Sequence, residues 1–367
     1  MFRGNIYLIQ NRKSNNICNL ELFMNKRAQT ADLLKGIAVL LMIQVHIIEL
    51  FATKQISDGY IGKFLLFSGG SFVAPVFAFF IGYFLANSKK STKQLIGRGV
   101  VFFIVGIFLN LALNLNLMLS VKAGKYSIDL LPYVFGVDIL PFAGLAIILL
   151  AILKKIITKN IYAAFTIAIV SAFFGHYFLR FVPGNIFLKY ISSFFYGSSR
   201  WSYFPLFPWL AYPLIGLAFY QLKQQFNLEK AYNIMPKIGI MVLFLLFMAF
   251  TILYAISISS DLQAYYHHGF LFFLWTSIFL AFYSFFVNQI NIIAGNFILV
   301  KYVKWLGKNV TLIYVIQWVI IGNYATEIYK TISSPIYLLS SFVLVLSIAS
   351  LLGYVFIRVK ARLIKAS

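Results

Sequence analysis

Five ionisable groups, Arg27 among them at its start, lie within one otherwise apolar stretch. It reads Arg27-Ala-Gln-Thr-Ala-Asp32-Leu-Leu-Lys35-Gly36-Ile-Ala-Val-Leu-Leu-Met-Ile-Gln44-Val-His46-Ile-Ile-Glu49. A charge in a lipid-embedded helix is costly, so each needs a physical reason. Asp32 and Lys35 are three residues apart and share a helical face, as do His46 and Glu49. Lys35 and His46 are eleven apart, about three turns, which places them on a common face roughly 16 Å from one another. A cation at one end and an imidazole further along could line one tunnel, which makes His46 a catalytic candidate. Plainer roles are open to each. Lys35 can snorkel to an interface, Asp32 can pair at the helix start, and His46 can serve as an interhelical hydrogen-bonding group.

Asp138 is the second anomaly, set between Val134-Phe-Gly136-Val and Ile-Leu-Pro141. It can orient an imidazole and stabilise its protonated form, or pair for packing alone. Pro141 is expected to free a backbone carbonyl in the wall of a site. His267 and His268 follow Tyr265-Tyr266, and adjacent histidines face different ways on a helix, so they make a poor metal pair. No His-Glu-x-x-His occurs, and no metal is expected. Arg180, Arg200 and Trp201 are candidates for holding an anionic or sugar acceptor, or for anchoring at an interface. No phosphate-cradling loop, nucleophile elbow or dinucleotide fingerprint is present.

The elements that would position these groups follow from composition. The 367 residues are 61% hydrophobic and 11% charged, and the mean hydropathy is +0.87. Soluble domains carry roughly a quarter of their residues charged. Apolar runs of about 20 residues match the hydrocarbon thickness, and in lipid they must be helical. The reading is an all-α polytopic bundle with about ten spans, near 33–52, 64–86, 99–119, 131–153, 161–179, 205–222, 237–257, 268–288, 305–323 and 335–356. A leader over 1–30 precedes a single membrane domain over 31–357, and a basic tail occupies 358–367.

The net charge of +22 does not point to nucleic acid, because the basic residues mark loop ends rather than one patch. Lys89, Lys90, Lys93 and Arg98, then Lys154 and Lys155, then Lys301, Lys304 and Lys308, then Arg358, Lys360 and Arg362 fall on one side of such a bundle. Far fewer fall on the other. That bias predicts a multi-pass plasma-membrane protein with both ends in the cytoplasm. The single cysteine, Cys18, allows no internal disulfide.

The segment Asp32-Leu-Leu-Lys35-Gly36 … His46 resembles the opening helix of a membrane acyltransferase superfamily. That group includes the acyltransferase-3 proteins and the heparan-α-glucosaminide N-acetyltransferase-like proteins. In its Asp-x-x-Arg-Gly motif this chain has Lys35 for Arg, which keeps the charge but loses the bidentate fork. Ser71-Phe-Val-Ala-Pro75-Val-Phe-Ala-Phe-Phe-Ile-Gly82 resembles the second-helix segment of the N-acetyltransferase-like branch. Phe204-Pro-Leu-Phe-Pro208-Trp209-Leu-Ala-Tyr-Pro-Leu-Ile-Gly216 is similar to its proline-tryptophan helix. Leu306-Gly307-Lys308-Asn309-Val-Thr-Leu-Ile-Tyr314 is similar to its late Gly-x-Asn-x-x-x-x-Tyr helix.

The resemblance implies transfer of an acyl group, usually acetyl, from cytosolic acyl-CoA to an acceptor on the outer side. The acceptor class would be a cell-envelope glycan or an amino sugar. Lys35, with Asp32 beside it and help from Lys89, Lys90 or Arg98, would meet the CoA phosphates. His46 would be general base or transient acyl carrier, oriented by Asp138 or Glu49. Arg200, Trp201 and His268 would face the acceptor. Two other readings stand beside this one: a transporter or flippase for a small solute or lipid-linked sugar, and a non-catalytic subunit that holds a partner enzyme.

Overall fold

The computed structural model of the chain describes residues 29–158, 160–197, 199–226 and 236–366. It is 82% helical, with no strand among the described residues. The expected leader lies outside them except for its last two residues, Gln29 and Thr30, which already belong to the first helix. Eleven helices carry the architecture. They are α1 (Gln29–Phe51), α2 (Tyr60–Ala86), α3 (Thr92–Leu113), α4 (Ile139–Ile157), α5 (Ile161–Phe178), α6 (Ala211–Gln225), α7 (Lys237–Ser260), α8 (Phe270–Ala294), α9 (Ile298–Lys308), α10 (Val310–Ile328) and α11 (Pro335–Ala366). By length and composition, seven of them can cross a membrane: α1, α2, α3, α4, α7, α8 and α11. The pair α9 and α10 makes an eighth if counted as one bent span, against about ten expected. The spans expected at 161–179 and 205–222 fall on the shorter helices α5 and α6.

Two expected spans are broken for local reasons. The stretch 305–323 bends by 84° between α9 and α10. Asn309 occupies the corner, and its side-chain amide donates to the Trp305 carbonyl at 2.8 Å, satisfying a group that the helix end leaves open. The stretch 131–153 is interrupted by extended backbone, and α4 begins only at Ile139. Asp138 is its N-cap, with Oδ1 accepting from the Ile139 amide at 2.6 Å. Pro141 therefore sits in the first helical turn, where an amide has no intrahelical acceptor to lose. It does not free a carbonyl in mid-helix, as its position in a continuous span would have required. The basic tail is also helical. Arg358, Lys360 and Arg362 continue α11.

The bundle has two packed cores. One gathers α4, α5 and α6 around Phe142, Trp209, Tyr212 and Phe272. The other gathers α1, α9 and α10 around Val39, Ile43, Ile47 and Leu306. Small residues set the close crossings, as expected where lipid supplies no hydrophobic drive between helices. A Cβ on Gly36 would stand 1.9 Å from the Val303 carbonyl oxygen, and one on Gly307 would stand 1.8 Å from the Asp32 carbonyl oxygen. Backbone contact between α1 and α9 thus needs glycine on both sides. Gly82 and Gly216 do the same for α2 and α6, against the carbonyls of Pro213 and Phe79.

Candidate functional site

α1 carries its ionisable groups at opposite ends. Near its start the Lys35 ammonium pairs with the Asp32 carboxylate at 3.0 Å, and both side chains are mostly buried. The same ammonium lies 5.4 Å from the Phe84 ring centroid, close to the end of α2. Other cations collect at this end of the bundle. Lys154 donates to the Ser88 carbonyl at 3.0 Å, beside exposed Lys89 and Lys90. Arg98 is exposed in the second turn of α3 and lies over Phe102. Lys304 is buried on α9, where its ammonium donates to Gln29 Oε1 and to the Gly295 carbonyl, each at 3.1 Å.

His46 lies three turns further along α1, and α10 builds its surroundings. The imidazole stacks on the Trp318 indole with centroids 3.9 Å apart and planes 9° from parallel. Its Nδ1 meets the Gln317 side-chain amide at 3.4 Å. Trp318 Nε1 donates to Asp138 Oδ2 at 2.6 Å, and the Tyr314 hydroxyl donates to the same oxygen at 2.8 Å. Asp138 or Glu49 is the expected orienter of the imidazole, and neither makes a direct hydrogen bond to it among the contacts of His46. Asp138 directs Oδ2 to Trp318 and Tyr314 while Oδ1 caps α4, so its hydrogen-bonded link to His46 runs through the indole. Residues 314, 317 and 318 share one helical face, which is why all three converge there.

Glu49, one turn beyond His46, receives the Tyr266 hydroxyl at 3.4 Å, a weak contact. Lys330 acts on it electrostatically from the segment that clamps the end of α1. There the Lys330 amide donates to Leu50 and the Ile332 amide to Phe51, satisfying carbonyls that the helix terminus leaves open. Lys330 adopts φ 55° to do so.

The loop before α6 is pinned across the approach to Asp138. The Val137 amide donates to the Trp201 carbonyl at 2.8 Å, and the Phe204 amide to the Val137 carbonyl at 2.7 Å. Trp201 lies within this tie, and its ring stacks on Tyr190 with centroids 4.9 Å apart. Lys189 lies over its face, and its buried Nε1 has no hydrogen-bond partner. Arg200 is exposed on the same loop.

His268 does not join the His46 cluster. Its Nδ1 donates to the Tyr265 carbonyl at 2.8 Å, which leaves Nε2 to accept from the Tyr212 hydroxyl at 3.0 Å. A neutral imidazole so placed has both nitrogens satisfied and is 3% exposed, so it has no free position for an acceptor. His267 Nε2 lies 2.7 Å from the Gly197 carbonyl, and burial holds this imidazole below its ordinary range. Among the described residues no group of three His, Cys, Asp or Glu side chains is placed to hold a metal ion. Arg180 edges an open groove of about 580 Å³ on α5, lined by Ile169, Phe173 and Tyr177 among others. None of the other candidates borders that groove, and it does not connect Lys35 with His46.

Gln317 and Trp318 are not among the candidates that the sequence suggests, and Lys304 enters there only as one of the loop-end basic residues. A polar Gln-Trp pair inside an apolar span was the available signal, since buried polar groups in lipid need partners. The residues of the late Gly-x-Asn-x-x-x-x-Tyr stretch have physical roles in the fold. Gly307 permits the α1 contact, Asn309 makes the corner, and Tyr314 reaches Asp138. Trp209 donates to the Tyr266 carbonyl at 2.8 Å, holding the short helix Leu262–Tyr266 whose last residue reaches Glu49.

No curated protein matches the chain. A family does: residues 27–243, more than half the chain, match the heparan-alpha-glucosaminide N-acetyltransferase catalytic family. The matched stretch contains Asp32, Lys35, His46, Glu49, Asp138 and Arg200, while α10 lies beyond it. This chain belongs to the heparan-alpha-glucosaminide N-acetyltransferase catalytic family of membrane-helix acetyltransferases.

Proposed function

We propose that the protein moves an acetyl group from acyl-CoA, arriving at the basic end of the bundle, to a hydroxyl or amine acceptor at the His46 end. The observation that carries this reading is the division of labour along α1. One rigid helix holds the Lys35–Asp32 pair at one end and a caged imidazole three turns away. The Lys and Arg bias supports a basic end on the cytoplasmic side of the plasma membrane, with both chain ends inside. Lys35, with Lys89, Lys90 and Arg98 towards the same end of the bundle, attracts the CoA phosphates as cations. The extended arm of the donor then spans the distance to His46.

At His46 the chemistry is acyl transfer. Nε2 takes the proton of the acceptor O–H or N–H as that atom attacks the thioester carbonyl. The carbon–sulfur bond breaks, and the CoA thiolate leaves with the proton from the imidazolium. Glu49, Tyr266 and the exposed Arg200 form the rim where a sugar or cell-envelope glycan enters. A carboxylate and phenols suit a polyhydroxylated or amino-bearing acceptor. The family name supports acetyl as the group moved and an amino sugar as one acceptor class.

The experiment is vectorial transfer in sealed proteoliposomes, with acetyl-CoA on one face and amino sugar or soluble glycan trapped on the other. Acetylated acceptor in the lumen supports the reading. Net movement of the solute without acetylation overturns it in favour of transport.

A further inference from the structure

We infer that Trp318 is a positioning residue for the transfer, the element through which Asp138 controls His46. The inference rests on the transferase reading above. It adds a residue outside the stretch that matches the family.

The geometry is specific. An imidazole lying flat on an indole at 3.9 Å, with planes 9° apart, has its tilt fixed by the larger ring. The larger ring is itself fixed, because Nε1–H is held by Asp138 at 2.6 Å. Asp138 in turn cannot drift, since its other oxygen caps α4. Gln317 biases the remaining freedom, rotation about the ring normal, through a weaker contact, its amide oxygen and nitrogen both 3.4 Å from Nδ1. With the Gln317 carbonyl oxygen turned to the ring, Nδ1–H donates to it and Nε2 keeps its lone pair for the acceptor proton.

Charge follows the same route. When Nε2 takes the proton, the imidazole becomes a cation lying on an aromatic face, which the indole quadrupole favours. A carboxylate accepting from the indole N–H makes that ring richer in electron density, so the gain is larger in the transition state than before it. The proton then leaves with the CoA thiolate and the imidazole is neutral again, so nothing is consumed. This arrangement places Asp138 two contacts from the chemistry without any direct hydrogen bond to His46. Removing either half of the indole–carboxylate contact should therefore release the same hold on the His46 ring.

The test is a double-mutant cycle on turnover of acetyl-CoA, with Trp318→Phe and Asp138→Asn alone and together. Phe keeps a stacking ring and loses the N–H. Asn keeps a capping oxygen and loses the charge. Each is expected to lower kcat about tenfold with KM for acetyl-CoA unchanged, and the pair is expected to cost no more than either alone. A second readout needs no catalysis. The ring protons of His46, assigned by their loss in His46→Gln, are expected to show an upfield ring-current shift in wild-type protein. That shift should vanish in Trp318→Leu and move in Asp138→Asn. Full kcat in Trp318→Phe beside a dead His46→Ala overturns the positioning role and leaves the transferase reading standing. So do additive losses, or His46 protons indifferent to Trp318→Leu. Wild-type protein that turns over no donor overturns the transferase reading, and the catalytic role assigned to Trp318 falls with it.

Discussion

His46 on the first helix and Trp318 on the tenth lie face to face, 3.9 Å between ring centroids, though 272 positions separate them in the chain. Asp138 anchors the indole side of that pair from a third helix, so α1, α4 and α10 meet at one polar cluster. The two hydrophobic cores of the bundle join there as well, because Asp138 caps a helix of one core while His46 and Trp318 belong to helices of the other. Changes at this junction should register in both stability and activity.

Asp138→Ala should destabilise the protein more than Asp138→Asn. Alanine removes the cap of α4 and leaves the Trp318 N–H and Tyr314 O–H without their acceptor. Together these losses amount to about 2–4 kcal/mol. Asparagine retains an oxygen for the cap and for one donor. Thermal unfolding in detergent followed by tryptophan fluorescence checks the order. Equal melting temperatures for the two variants would contradict the assigned hydrogen bonds.

Gly307→Val should lower the melting temperature without any dependence on donor or acceptor. Its side chain would be driven into the Asp32 backbone, an overpacking cost of about 1–3 kcal/mol or more. Gly97, where an added Cβ meets nothing, is the control, and Gly97→Ala should leave the melting temperature unchanged or slightly raised. If both variants melt like wild type, the α1–α9 contact is not as close as described.

Lys35 should govern donor affinity. Lys35→Ala is expected to raise KM for acetyl-CoA about tenfold or more with a smaller change in kcat, since a phosphate contact is made equally in ground and transition states. It also strips the partly buried Asp32 of its partner. Lys35→Arg should keep or improve affinity, because the guanidinium adds a bidentate fork for phosphate. A loss confined to kcat would move Lys35 from the donor site to the chemistry.

Orientation has its own check. With Cys18 replaced by serine, a single cysteine at Lys90 should be shielded from a membrane-impermeant maleimide on intact cells, and one at Gln263 should react. The reverse pattern would invert the bundle and put the basic end outside.

Much of the helical architecture was legible because lipid forces long apolar runs into helices, and the ionisable face of α1 followed from spacing alone. The breaks were less legible. Asn309 and Asp138 read as polar residues within spans, yet each acts on backbone groups at a helix end, which hydropathy does not register. Likewise the resemblance gives both His46 and His268 a place at the site, one as catalyst and the other on the acceptor side. Only tertiary contacts distinguish a ring whose two nitrogens are occupied by Tyr265 and Tyr212 from one stacked on an indole with Nε2 unassigned. Trp318 escaped notice because an aromatic residue in a chain with 40 phenylalanines and 23 tyrosines carries little signal until its partner is known.

The most direct measurement is release of free CoA from acetyl-CoA by purified protein, with a mixture of cell-envelope glycans and amino sugars as acceptor, wild type beside His46→Ala. Acceptor-dependent release by wild type, lost by a factor of about a hundred or more in the variant while its melting temperature holds, is the predicted result. Undiminished release by His46→Ala would contradict the account at its centre.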